Sequence, residues 1–232
     1  MTSPMKPSAV LWDFDGTMVN TEVVWIASEI EVMRRYGVVW TYEQGIEMCG
    51  SAAPVTTRTL LDEAARQLGQ PLDVVPEQFW AQVSGRVQQH LETNGPPWLP
   101  GAKELVSEIS AAGVPMALVS SSPPELLHAG LQHMPVGLFQ TVVSGPEMPR
   151  GKPAPDAYLL AADRLGVDAA DCVVIEDSVP GAASGRAAGA VVIGVPCMHP
   201  LPDAPGQINL GSLAGLTLGD LTRIWHEVRA GE

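Results

Sequence analysis

The chain is poor in lysine. Among its 232 residues only Lys6, Lys103 and Lys152 are of this type, and all lysines and arginines together number 13 against 26 acidic residues. The resulting formal charge of −13 repels a phosphate backbone, which excludes nucleic acid as an expected partner. A small anion remains a workable substrate only where positive charge is gathered locally, so the place of each lysine matters. Cysteine is scarce too. Cys49, Cys172 and Cys197 are scattered, with no CxxC pair, which excludes a disulfide framework and a zinc knuckle and leaves reduced structural thiols. The five histidines, at 90, 128, 133, 199 and 226, show no metal-ligand spacing. No stretch approaches the ~20 apolar residues of a membrane span, and the opening MTSPMKPSAV has no long apolar segment before Asp13. A soluble, cytoplasmic protein without a membrane partner is expected, as a monomer or small homo-oligomer.

What is present is a hydrophobic content of 46%, enough for one good core with a smaller appendage. Residues 8–14 read as a short buried strand that ends in a glycine turn. From about Thr21 to Tyr36 the apolar spacing turns helical, and further helices are expected over 41–49, 54–69 and 76–93, the last with Pro76 in its first turn. Nothing between 20 and 94 reads as a strand. The segment NGPPWLPG at 94–101 then breaks the chain. Beyond it helices (101–112, 123–133, 154–165, 179–188) alternate with strands (115–120, 139–144, 172–176, 190–195). The final thirty residues are less regular and end in a helix over 218–229. Such alternation predicts a Rossmann-like α/β core with helices on both faces of a parallel sheet. The core is discontinuous, residues 1–19 and 97–232, with an inserted all-helical cap at 20–96. An insertion there belongs over the carboxyl ends of the strands, where open α/β sheets bind ligands.

The strand ends carry the reactive side chains. VLWDFDGTMVN, at 10–20, closes the first strand with Asp13 and Asp15 about Phe14. Residues i and i+2 of an extended chain share a side, so both carboxylates face one place and Phe14 the core. Two carboxylates held together repel, and a cation with a nearby lysine relieves them. The second strand ends in Ser120, Ser121 and Ser122, the third is followed by GKPAPD with Lys152, and the fourth ends in Glu176 and Asp177. Asp177 offers a third oxygen for a hard cation such as magnesium, which keeps waters and accepts phosphate. Lys152 is a point charge for phosphate, and Ser120 with neighbouring backbone N–H groups can hydrogen-bond its oxygens. Ser122, before two prolines, reads as the cap of the next helix. Gly181, Gly185 and Gly189 recur every four residues, as close packing of a helix on a sheet requires.

DFDGT, the serine after MALV, the lysine of GKPAPD and the acidic pair of VVIEDS resemble the four ordered motifs of the haloacid dehalogenase-like superfamily. The nearest group resembled is the phosphatases and phosphomutases with a helical cap after the first strand. The resemblance implies Asp13 as nucleophile, forming an aspartyl-phosphate, and Asp15 as general acid and then base. It implies magnesium held by Asp13, by the backbone carbonyl of Asp15 and by Asp177, with Glu176 at or near the metal. It implies phosphate contacts from Gly16, Ser120, Ser121 and Lys152. The departures narrow the reaction. Family dehalogenases lack the second aspartate, so Asp15 and Asp177 argue against that chemistry. Phosphonoacetaldehyde hydrolases need a cap lysine, and 20–97 contains none. β-Phosphoglucomutases carry a histidine where Trp25 stands and an arginine where Ala53 stands, with Arg58 nearby but shifted. The expected activity is a magnesium-dependent phosphatase of a small phosphorylated metabolite, such as a sugar phosphate, with Trp25, Arg58 and the loop at 48–54 contributing to substrate choice. A β-phosphoglucomutase-like isomerase is the alternative, and a catalytically silent binding or regulatory relative a further one.

Overall fold

The computed structural model describes residues 6–51 and 53–231; the first five residues, Ala52 in the 48–54 loop and Glu232 lie outside them. The chain divides into two compact units. One comprises the residues up to Asn20 and those from Pro96 onward, the other Thr21–Gly95.

The first unit is built on a six-stranded, all-parallel sheet. In chain order its strands are β1 (Ala9–Trp12), β2 (Met116–Val119), β3 (Thr141–Val143), β4 (Cys172–Glu176), β5 (Val191–Gly194) and β6 (Gln207–Asn209). Their order across the sheet is β3-β2-β1-β4-β5-β6. The chain steps outward from β1 through β2 to β3, then returns to the other side of β1 for β4. Strand order reverses there, and the carboxyl ends beside such a switch form the crevice of open α/β sheets.

Alternation along the strands feeds two cores. Val10, Trp12, Met116, Leu118, Val173 and Ile175 face one side. Over them pack α5 (Ala102–Ala111), α6 (Pro124–Leu131) and α9 (Leu218–Ala230), through residues such as Leu105, Ile109, Leu127, Ile224 and Trp225. Ala9, Leu11, Ala117, Val119 and Val174 face the other side, under α7 (Asp156–Leu165) and α8 (Val179–Ala187), with Tyr158, Ala161 and Ala182 in contact. A strand covered on both faces has no polar side, which is why β1, β2 and β5 are continuous apolar runs and β4 is one as far as Ile175. Helix α8 needs its small residues. A Cβ at Gly185 would lie 2.9 Å from Val192 and 3.0 Å from Val174.

Two expectations are corrected. The first strand stops at Trp12, so Asp13 and Phe14 follow it rather than end it. The strand β6 was not legible in the irregular final thirty residues, and it adds the outermost parallel partner to β5.

The second unit is helical, and no strand occurs among its described residues. It comprises α1 (Glu22–Arg35), α2 (Tyr42–Met48), α3 (Ala53–Leu68) and α4 (Pro76–Asn94). Glu22 in the first turn of α1 and Arg34 and Arg35 in its last complement the helix dipole. Thr41 and Gln44 close a reciprocal capping box on α2, at 3.2 and 2.9 Å. Its core is Val32, Met33, Trp40, Leu60, Ala64, Phe79 and Val83. No helix among the described residues is long and apolar enough to cross a membrane.

Candidate active site

Parallel strands bring residues far apart in sequence to one edge. Ladder bonds continue past the strand ends: Asp13 N–H donates to Ile175 O at 3.0 Å, and Ser120 N–H to Val143 O at 3.0 Å. With Trp12 paired to Leu118 on one side and Ile175 on the other, the ends of β1, β2 and β4 are level, and the loop after β3 delivers Lys152 among them.

Lys152 is the hub. Its Nζ donates to Asp13 Oδ1 at 2.7 Å, to Glu176 Oε1 at 2.6 Å and to the Val119 carbonyl at 3.3 Å. It also lies 5.1 Å from the centre of the Tyr158 ring. Only 7% of its side chain is accessible. Burial opposes its charge, but the Asp13 and Glu176 carboxylates prevail and hold its pKa well above the usual lysine range. Asp13 is shifted the same way. Burial first, and then Glu176, push its carboxyl well up, with Lys152 pulling against them and Asp177 adding to the rise. Three carboxylates with one lysine are therefore short of positive charge.

Glu176 is fully buried, and both of its oxygens are filled. Oε1 accepts from Lys152 and from the Tyr158 hydroxyl at 2.9 Å. Oε2 accepts from the N–H groups of Asp177 and Ser178 at 3.1 and 3.0 Å and from Ser178 Oγ at 2.9 Å. Such a count uses the acceptor capacity of a carboxylate. Gly181 leaves the room it needs, since a Cβ there would run into the Glu176 carboxylate.

Asp177 is placed by the turn after β1. Thr17 Oγ1 donates to its Oδ1 at 3.2 Å. Gly16 sits at φ +84, and a Cβ there would collide with the Asp177 carboxylate. Glycine is required twice over, for the backbone angle and for the close approach. Asp15 turns to the serines, its Oδ2 accepting from Ser120 Oγ at 3.0 Å and Ser122 Oγ at 2.7 Å. Phe14 points into the core as expected. Gly130 of α6 makes room for it, since a Cβ there would lie 2.6 Å from the Phe14 ring.

A cation fits this donor set. Oxygens of Asp13, Glu176 and Asp177 lie within 4.8 Å of one another. Asp13 Oδ2 is buried with no hydrogen-bond partner, a costly state for a carboxylate oxygen unless something positive meets it. All the donors are hard oxygens, the set that magnesium takes. The Asp15 carboxylate is not in this group.

The structure thus gathers Asp13, Asp15, Gly16, Ser120, Lys152, Glu176 and Asp177 in the first unit, with Ser121 exposed beside Ser120. Trp25 and Arg58 belong to the second unit. There Trp25 stacks on Trp80 at 5.2 Å, and Arg58 is exposed on α3. One site residue was misread. Ser122 does not cap α6, whose cap position is Pro123, but donates to Asp15. Thr17 and Tyr158 were not singled out at all. Thr17 stands next to the glycine that Asp177 approaches, and Tyr158 stands in the first turn of the helix that follows Lys152.

The family model for haloacid dehalogenase-like hydrolases matches residues 7–189. The chain belongs to this family. Among curated relatives of this haloacid dehalogenase-like protein, the bifunctional riboflavin kinase/FMN phosphatase of Arabidopsis thaliana is 33% identical over 94% of the chain. The chain spans 54% of that longer protein. Hexitol phosphatase B of Escherichia coli K12 is 29% identical over 95% of the chain and 99% of its own length. In structure, CbbY from Rhodobacter sphaeroides, solved in complex with phosphate, superposes with a TM-score of 0.75. It is 24% identical, and the match covers 93% of this chain and 99% of that one. That likeness concerns the fold.

Proposed function

We propose that this hydrolase is a magnesium-dependent phosphomonoesterase working through an aspartyl-phosphate on Asp13. The observation that carries the reading is the state of the Asp13 carboxylate, with Oδ1 on Lys152 at 2.7 Å and Oδ2 buried and unpartnered. That arrangement leaves unshared electron pairs on a fixed nucleophile beside a fixed positive charge.

Asp13 and Asp177 are the residues proposed to hold the ion, together with the Asp15 carbonyl. Glu176, whose oxygens already accept five hydrogen bonds, is proposed to orient Lys152 instead of ligating. Bound magnesium would supply charge neutralisation for the carboxylates and the phosphoryl oxygens. A carboxylate oxygen of Asp13 bonds to phosphorus as the ester P–O bond breaks. Asp15 gives its proton to the departing alcohol. Water then attacks the phosphorus, its proton passes to Asp15, and the Asp13–phosphorus bond breaks to release inorganic phosphate. Lys152 and the Ser120 hydroxyl hold the phosphoryl oxygens, with backbone N–H groups at Gly16 and Ser121.

The substrate is proposed to be a small phosphorylated metabolite, with hexitol phosphates favoured by the relative matched over nearly its full length. Trp25 and Arg58 are proposed to contribute to that choice. The test is phosphate release from a panel holding hexitol phosphates, FMN, glucose 1-phosphate and p-nitrophenyl phosphate, with and without magnesium. Release by the wild type that stops without magnesium and in Asp13→Asn is expected. A wild type no faster than Asp13→Asn on every compound would sink the reading. Conversion of glucose 1-phosphate to glucose 6-phosphate in place of phosphate release would favour a mutase.

A further inference from the structure

The hydroxyl of Ser120 has two claims on it. It donates to Asp15 Oδ2 at 3.0 Å, while its oxygen accepts the Ser122 N–H at 2.9 Å. In the proposed reaction the same hydroxyl must turn to a phosphoryl oxygen. A hydroxyl carries a single hydrogen, so it cannot serve both acceptors at once. When a phosphoryl group takes it, Asp15 loses that donor at the moment its placement matters most.

Ser122 Oγ donates to the same Asp15 oxygen, at 2.7 Å. That is the bond its hydroxyl donates among the described residues. The helix it precedes, α6, takes no side-chain cap. The backbone carrying it is pinned from both sides. The Ser122 carbonyl accepts the Gly145 N–H at 3.2 Å, and Pro123 follows with its ring-fixed φ of −62. Gly145 itself has no room for a side chain, because the Ser121 carbonyl occupies the space.

We propose that Ser122 is the positioning residue for the acid/base carboxyl, keeping Asp15 aimed after Ser120 has turned to the phosphoryl group. The inference rests on the reading of Asp15 as acid and base.

Leaving groups of different acidity test it. p-Nitrophenolate departs without a proton, whereas an alkoxide needs one. The measurement is kcat/KM, which reports steps up to departure of the alcohol, for p-nitrophenyl phosphate and for the fastest alkyl phosphate of the panel. In Ser122→Ala the alkyl value is expected to fall about tenfold or more and the aryl value by less than about threefold. Ser122→Thr, which keeps the hydroxyl, is expected to restore the alkyl value to within about threefold of wild type. Equal losses on the two substrates, as a merely unfolded variant would give, overturn the proposal, as does no loss on either. An active wild type with an unselective Ser122→Ala removes this inference alone. A wild type that hydrolyses neither ester removes the phosphatase reading with it.

Discussion

Gly16 shows how a residue without functional groups sets the chemistry of its neighbours. It bends the chain at φ +84 and leaves the Asp177 carboxylate the space that a Cβ would fill. Gly16→Ala should therefore strain the turn and push Asp177 out of the donor set. The expected result is a rise of about tenfold or more in the magnesium concentration giving half-maximal phosphate release, with a stability loss of about 1–2 kcal/mol. A magnesium titration of activity beside a denaturant melt measures both. Unchanged magnesium dependence would detach Asp177 from the metal. Asp13, Lys152 and Asp177 were legible because scarcity and position at strand ends mark them. Ser122 was not, because its partner lies 107 positions away and a serine before prolines carries a strong local meaning of its own. The roles of Thr17 and Tyr158 likewise exist only through Asp177 and Glu176, residues that the fold brings to them.

At the scale of elements, α1 carries a cost inside its buried face. Glu29 is 4% exposed, and its carboxylate accepts from Trp40 Nε1 at 3.1 Å. Burial is the main cause that raises its pKa from 4.5 to about 7, with the Trp40 bond opposing and Glu22 adding to the rise. A raised acid favours the protonated form in the fold. The stability this lends is fully present below 4.5 and is lost as pH climbs through about 7. Glu29→Gln keeps an acceptor for Trp40 and removes the titration. Urea unfolding of the full chain should find the variant more stable than wild type by about 1–3 kcal/mol near pH 8, with the gap closing by about pH 5. A gap that does not change with pH would mean that Glu29 does not titrate in this range. Strand β6 shows why some elements escaped the sequence. Gln207–Asn209 is three residues long, pairs only with β5, and places a single apolar residue, Ile208, between two polar ones. The buried strands announce themselves as apolar runs; an outer strand with a wet side has no such mark.

For the whole molecule, carboxylates gathered at one edge of a chain of net charge −13 are expected to make the fold responsive to cations. Magnesium held as proposed would bind the native arrangement and not the unfolded chain, so at about a hundred times its dissociation constant it should add about 2.7 kcal/mol of stability. A thermal melt with magnesium and with chelator reads this, and Asp177→Asn should abolish the difference while sodium at equal ionic strength leaves it in the wild type. The sheet order has another consequence, for assembly in time. Strand β1 lies in the middle, with Val10 paired to Met116 on one side and Val173 on the other. During synthesis it emerges long before either neighbour, and Asp13 waits with it. Asp13 is among the earliest parts of the candidate site to be made, yet its surroundings are complete only after Asp177 has left the ribosome. Contacts of such long sequence separation form slowly. The catalytic edge is thus expected to mature late in folding, after the helices of local sequence have already formed.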